Sequence, residues 1–149
     1  IIPAYDQATL ELINAYIKNE VSISAKVVKA REIMRKASLA ICCSGTATLE
    51  CMLAEIPTTV IYKTNLINYW IYKILVNAKF VALPNLIAGK QVMKELLQNK
   101  MTVENIVEDM KNNFKNKEKI SIELKEASNV LTEPNFSRFL DQINDYCRR

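Results

Sequence analysis

Hydrophobic positions along this chain switch between two periodicities, and the switching predicts strands and helices in alternation. Over residues 4–19, Leu10, Ile13 and Ile17 recur at helical spacing, and residues 21–23 follow as a short strand. A second helix is expected over 27–36. Leu39-Ala40-Ile41-Cys42-Cys43 is apolar without alternation, as in a strand buried on both faces of a parallel sheet. That run stops at Ser44-Gly45-Thr46. A helix over 46–55 ends before Pro57, and the β-branched stretch Thr58-Thr59-Val60-Ile61-Tyr62 is the next strand. Helical spacing returns at 65–77, a short strand is expected at 80–83, and a helix at 91–98. The remainder is helical in pattern, over 102–114, 118–131 and about 134–146, where Pro134 suits a first turn.

This order describes an α/β domain: a Rossmann-like, mainly parallel sheet flanked by helices, with right-handed crossovers and a helical tail. Its 149 residues suffice for one domain or one lobe of a larger enzyme. The opening Ile1-Ile2-Pro3 reads as the end of a strand cut in its middle, so the chain is expected to be part of something longer. Half the residues are hydrophobic and 24% charged, which is the balance of a folded domain.

The net charge of +4 is spread along the chain, with a modest excess at Lys111, Lys115, Lys117 and Lys119. It lacks the dense basic face, interleaved with aromatics, of a nucleic-acid binder, so no nucleic-acid partner is expected. Four cysteines without paired metal spacing read as reduced thiols. The absence of histidine removes every histidine triad, histidine metal ligand and histidine base from this chain. The apolar run 66–76 is interrupted by Asn68 and Lys73 and is shorter than the roughly 20 residues a membrane-spanning helix needs.

Only two glycines occur, Gly45 and Gly89, each in a polar turn beside an apolar stretch. Where the strand ending at Cys43 turns into the next helix, Ser44-Gly45-Thr46-Ala47-Thr48 would gather free amides, hydroxyls and a positive helix end at one point. A phosphate suits that point; so does an ordinary capped helix start. Glu50 lies four residues after Thr46 on the same helix face, and its carboxylate could accept from the two hydroxyls of a ribose or simply stabilise the helix end. Together these describe a nucleoside-diphosphate site. The second segment, Leu83-Pro84-Asn85-Leu86-Ile87-Ala88-Gly89-Lys90, is either a tight turn or a loop offering Asn85 and the amides near Gly89 to a second phosphate or a sugar.

The strings Ser44-Gly45-Thr46-Ala47-Thr48-Leu49-Glu50, Tyr62, Tyr69-Trp70, Leu83 to Gly89 and Glu95-Leu96-Leu97-Gln98 resemble, in order and spacing, the C-terminal half of bacterial lipid-A-disaccharide synthases. The resemblance implies the C-terminal lobe of a two-lobed GT-B fold, with 1–131 as the UDP-sugar-binding lobe and 132–149 as a crossover helix. It implies inverting transfer from UDP-2,3-diacylglucosamine to 2,3-diacylglucosamine 1-phosphate, giving lipid A disaccharide 1-phosphate and UDP, with no metal and no cofactor. Ser44, Gly45, Thr46 and Thr48 would face the pyrophosphate, Glu50 the ribose, and Asn85 and Gly89 the donor side of the cleft. No catalytic residue is expected here, since the family's acidic base lies in an N-terminal lobe this chain lacks. Two departures stand out. Glu55-Ile56-Pro57 replaces the usual Gly-Val-Pro, putting the left-handed helix cap in doubt, and Lys94 replaces a common Pro, which should merely let the helix at 91–98 start earlier.

The implied partners are the UDP-diacylglucosamine donor, the lipid sugar-phosphate acceptor, the N-terminal lobe and the inner membrane surface, with the protein peripheral to the cytoplasmic face. Tyr69, Trp70 and Tyr72 among Lys63, Lys73 and Lys79 suit a headgroup region, although Trp70 and Ile74 also fit a packed core. Phe136, Phe139, Leu140 and Ile143 give the tail an apolar face that invites homo-oligomers by tail exchange. A non-catalytic nucleotide-binding or membrane-associating module, such as a split-gene remnant, is the competing reading. A UDP-sugar 2-epimerase fits the Pro-Asn-Leu-Ile-Ala-Gly segment less well.

Overall fold

The computed structural model describes residues 1–18, 20, 22–64 and 79–131. The helix expected at 65–77, with Tyr69, Trp70 and Tyr72, and the tail helix at 134–146 lie outside the described residues. Two compact units are present, Ile1–Ala37 and Ser38–Arg149. Among the described residues, no helix is long and apolar enough to cross a membrane.

In the first unit, β1 (Ile2–Ala4) pairs in parallel with β2 (Ala25–Val27), Ile2 opposite Ala25 and Ala4 opposite Val27. Helix α1 (Gln7–Ile17) starts where the Asp6 carboxylate accepts from Thr9 N–H at 2.8 Å. Leu10, Ile13 and Ile17 form its half-buried face, as their spacing predicts. The strand expected at 21–23 instead forms at β2, and the helix expected at 27–36 contracts to α2 (Ala30–Met34). Val27 and Val28 fit a helical period, but β-branching favours the extended chain that β1 offers to pair.

The second unit holds β3 (Ala40–Cys43), α3 (Thr46–Leu53), β4 (Thr58–Tyr62), α4 (Leu83–Ala88), β5 (Lys94–Leu97), α5 (Val103–Lys115) and α6 (Lys117–Ser128). Its sheet runs β3-β4-β5 and is wholly parallel. Central β4 buries Thr58, Thr59 and Val60, and the core gathers Met52, Ile56, Met93, Leu96 and Leu124 around it. As the outer strand of three, β3 leaves Ile41 and Cys43 exposed rather than burying both faces.

Two expected elements change type. Residues 91–98 were expected as a helix, and Lys94 as its early start; they carry β5 instead, with Lys94 opposite Thr59 and Leu96 opposite Ile61. Val92, Met93, Leu96 and Leu97 imitate helical spacing, but a vacant place beside β4 overrides the local preference. Residues 80–83 were expected as a strand, yet Val81 and Ala82 give their N–H groups to the Glu95 carboxylate, and Leu83 already begins α4. The left-handed cap after α3 survives the departure at Glu55. Glu55 itself takes φ 56°, with Glu55 N–H to Met52 O at 2.9 Å and Ile56 N–H to Cys51 O at 3.0 Å. That is a complete Schellman pair built on a residue other than glycine.

Helix α5 is held to β4 by polar atoms. Thr59 Oγ1 donates to Asp109 Oδ2 at 2.6 Å, Asn113 Nδ2 donates to both, and Lys94 Nζ stands 3.9 Å from Asp109 Oδ1. Asp109 and Asn113 are buried but mutually satisfied, which is the condition under which such groups are tolerated.

Candidate functional site

The turn after β3 lies at the carboxyl edge of the parallel sheet. Register places Cys43 beside Ile61 and Ile61 beside Leu96, so Ser44, Tyr62 and Leu97 stand level across three strands. Ser44 N–H prolongs the ladder to Ile61 O at 3.1 Å, and its hydroxyl donates to Val81 O at 3.1 Å. Gly45 caps α3 with φ 157° and ψ −165°, a region that belongs almost wholly to glycine. A Cβ there would meet nothing within 4 Å, so conformation rather than crowding requires the glycine.

Gly45 and Thr46 are exposed. Among the described residues, nothing accepts from the amides of Gly45, Thr46 or Ala47. The turn is therefore an open set of donors on the positive end of a two-turn helix. Thr48 differs from the other three: it is fully buried, and its hydroxyl donates to Gly45 O at 2.6 Å. It holds the turn from within.

Glu50 is half-buried, and its charge is felt by the thiols of Cys42 and Cys51 beneath the turn. The Cys42 thiol donates to Cys43 O at 3.4 Å. Interaction with the Cys42 thiol, with some relief from Thr58, lowers Cys51 to about 7, while interaction with Cys51 and burial push Cys42 up.

Asn85 sits at the base of the second segment, fully buried. Its Oδ1 accepts from Val92 and Met93 N–H at 2.8 and 2.9 Å, and its Nδ2 donates to Met93 O and Glu95 Oε1, both at 2.8 Å. All four bonds are internal, so Asn85 shapes the segment instead of presenting its amide outward. Gly89 ends α4 in the left-handed region at φ 63°. Glu95 had no role assigned from sequence. Its carboxylate accepts from Val81, Ala82 and Asn85, tying the start of α4 to β5. A lone acid inside the apolar stretch 92–97 was the available signal, hidden by the helical reading.

The first unit carries a separate open depression of about 740 Å³ at the carboxyl ends of β1 and β2, lined by Pro3, Tyr5, Val28, Lys29 and Glu32. None of the candidate binding residues named from sequence lies in it.

Fold and turn together define a Rossmann-like α/β protein with a glycine-bearing strand-to-helix turn open at the carboxyl edge of a parallel sheet, where such sheets bind ligands. A family model described as "Lipid-A-disaccharide synthetase" matches residues 2–142, and the chain belongs to that family. It is similar to the lipid-A-disaccharide synthase of Psychromonas ingrahamii, 51% identical over 79 residues, which are 53% of this chain and 21% of the relative. Its similarity to the synthase of Blochmanniella floridana is 39% over 105 residues, 67% of this chain and 27% of the relative. With that of Salmonella paratyphi A it is 36% over 108 residues, 72% and 28% respectively. The chain thus spans between 21% and 28% of the length of these relatives.

Proposed function

We propose that this chain is the donor-holding portion of an inverting glycosyltransferase of lipid A biosynthesis. In this reading the reaction joins UDP-2,3-diacylglucosamine to 2,3-diacylglucosamine 1-phosphate and releases UDP. The observation that carries the proposal is the exposed Gly45 turn, whose amides, unclaimed among the described residues, stand at the start of α3 in a chain of this family. The amides of Gly45, Thr46 and Ala47 would take the pyrophosphate, with the Ser44 and Thr46 hydroxyls beside them. Thr48 braces the turn from below, and Glu50 accepts from the ribose hydroxyls. Asn85 and Gly89 set the shape of the donor-side segment.

Chemically, the turn has to stabilise the negative charge that builds on the departing UDP. Fixed amides and a helix end supply this without reorganising as the bond breaks. The base that activates the acceptor comes from a further lobe, and lipid substrates bring the assembled enzyme to the inner membrane surface on its cytoplasmic side. The 132–149 segment would serve as the crossover to that lobe.

Calorimetric titration tests the division of labour. Glu50→Ala is expected to weaken UDP about tenfold, the loss of a charged hydrogen bond, while leaving inorganic pyrophosphate within about twofold. Equal losses for the two ligands would remove the ribose role.

A further inference from the structure

Helix α5 buries polar side chains and exposes apolar ones. Asp109 and Asn113 are buried against Thr59 of β4, whereas Val103, Val107 and Phe114 are 72%, 44% and 70% exposed. At 3.6 residues per turn these three and the half-buried Met110 fall at i, i+4, i+7 and i+11, within about 60° of one another around the helix. That spacing is the seam along which two helices pack.

The charges beside the stripe say what fits it. Glu104 and Glu108 lie on one flank in the first half of the helix, and Lys111 and Lys115 lie on the same flank in the second half, all four exposed. Among the described residues they enter no ion pair. Within its own helix each pair sets like charges one turn apart, which is mildly unfavourable. The helix dipole favours acids early and bases late, but anywhere around the circumference; it does not require both pairs beside the apolar stripe.

We propose that this face pairs with the same face of a second copy of the chain, the two α5 helices running antiparallel about a two-fold axis. Val107 of one copy then meets Met110 of the other, Val103 meets Phe114, and Glu104 and Glu108 lie along Lys111 and Lys115 in both directions. A parallel pair would set acid against acid and base against base. A two-fold contact needs a patch complementary to itself, and an acid half followed by a basic half beside an apolar seam has that property. The inference goes beyond the donor-holding reading and does not depend on it. The stripe is roughly 16 Å long at 1.5 Å per residue, so the contact belongs with small, weak interfaces, with a Kd on the order of 100 µM.

Sedimentation velocity of the chain across that concentration range tests the pairing, with circular dichroism to confirm that each variant is folded. Lys111→Glu with Lys115→Glu makes the flank wholly acidic, and Glu104→Lys with Glu108→Lys makes it wholly basic. Each double variant alone is expected to associate at least about tenfold more weakly than the parent, and an equimolar mixture of the two to associate at least as well as the parent. Phe114→Lys, which removes the largest exposed apolar group and places a base where the dipole favours one, is expected to show a similar loss and carries the test if a charge-reversed variant unfolds. A parent that stays monomeric would overturn the proposal, and binding of that monomer to vesicles of anionic phospholipid would give the stripe to a lipid surface instead. Parent dimers that ignore both the charge reversals and Phe114→Lys would place self-association elsewhere in the chain, and a mixture that fails to associate would refute the antiparallel pairing.

Discussion

Glu55→Gly should stabilise this protein, against the usual direction of a glycine substitution. Glu55 occupies the position after α3 at φ 56°, where a side chain clashes with its own backbone at about 1–2 kcal/mol. Glycine removes that clash but adds freedom to the unfolded chain, worth about 0.5–1 kcal/mol in the opposite direction. The Glu55 carboxylate lies 3.8 Å from Lys125 Nζ, with both side chains well exposed, so losing it subtracts only a few tenths of a kcal/mol, roughly. The Ser121 hydroxyl donates to Glu55 O at 2.7 Å, and this bond is kept because it involves only backbone at 55. The net expectation is a gain of about 0.5 kcal/mol, up to 1 kcal/mol, seen as a melting temperature about 1–4 °C higher by circular dichroism. Glu55→Ala serves as control, since it keeps the strained backbone and gives up the carboxylate; it should not stabilise. A Glu55→Gly protein that melts at or below the parent would refute the argument.

Three further substitutions probe the frame around the site. Asn85→Ala strips four internal hydrogen bonds and leaves the Val92 and Met93 amides unmet, so urea unfolding should show a loss of roughly 2–4 kcal/mol. Gly45→Ala forces a methyl into a glycine-only backbone region without any clash, and should cost about 1–3 kcal/mol in the same assay. Cys51, lowered to about 7 from the ordinary 9.0, releases its proton earlier in the folded state, so the unfolded chain binds more protons between those values. Stability should therefore rise as pH is raised from 7 toward 9. Cys42, pushed upward, acts in the reverse sense above 9. Cys51→Ser should abolish the rise, and an unchanged pH profile would contradict the lowered Cys51 thiol.

The strands β3 and β4, the helix between them and the turn at Gly45 were legible because each rests on a local signal: an unbroken apolar run, a β-branched run, a Pro stop and a scarce glycine. Strand β5 was not, because Val92, Met93, Leu96 and Leu97 satisfy helical spacing while the reason for their extension, the open side of β4, is far away in sequence. The same distance hid Glu95, whose partners at Val81, Ala82 and Asn85 become neighbours only once β5 is in place. Asn85 looked like a ligand group because an amide in a turn carries no mark of which way it faces. Glu55 was read as a departure from a glycine cap, yet the hydrogen bonds of the Schellman pair and the burial of Ile56 outweigh one strained residue.

The account depends on the amides of Gly45, Thr46 and Ala47 receiving a diphosphate, and a titration of the isotope-labelled chain with UDP, followed by amide NMR, observes them directly. These three resonances are expected to shift furthest and to saturate together with the calorimetric isotherm. Saturable UDP binding that leaves them in place while amides elsewhere move would contradict the account.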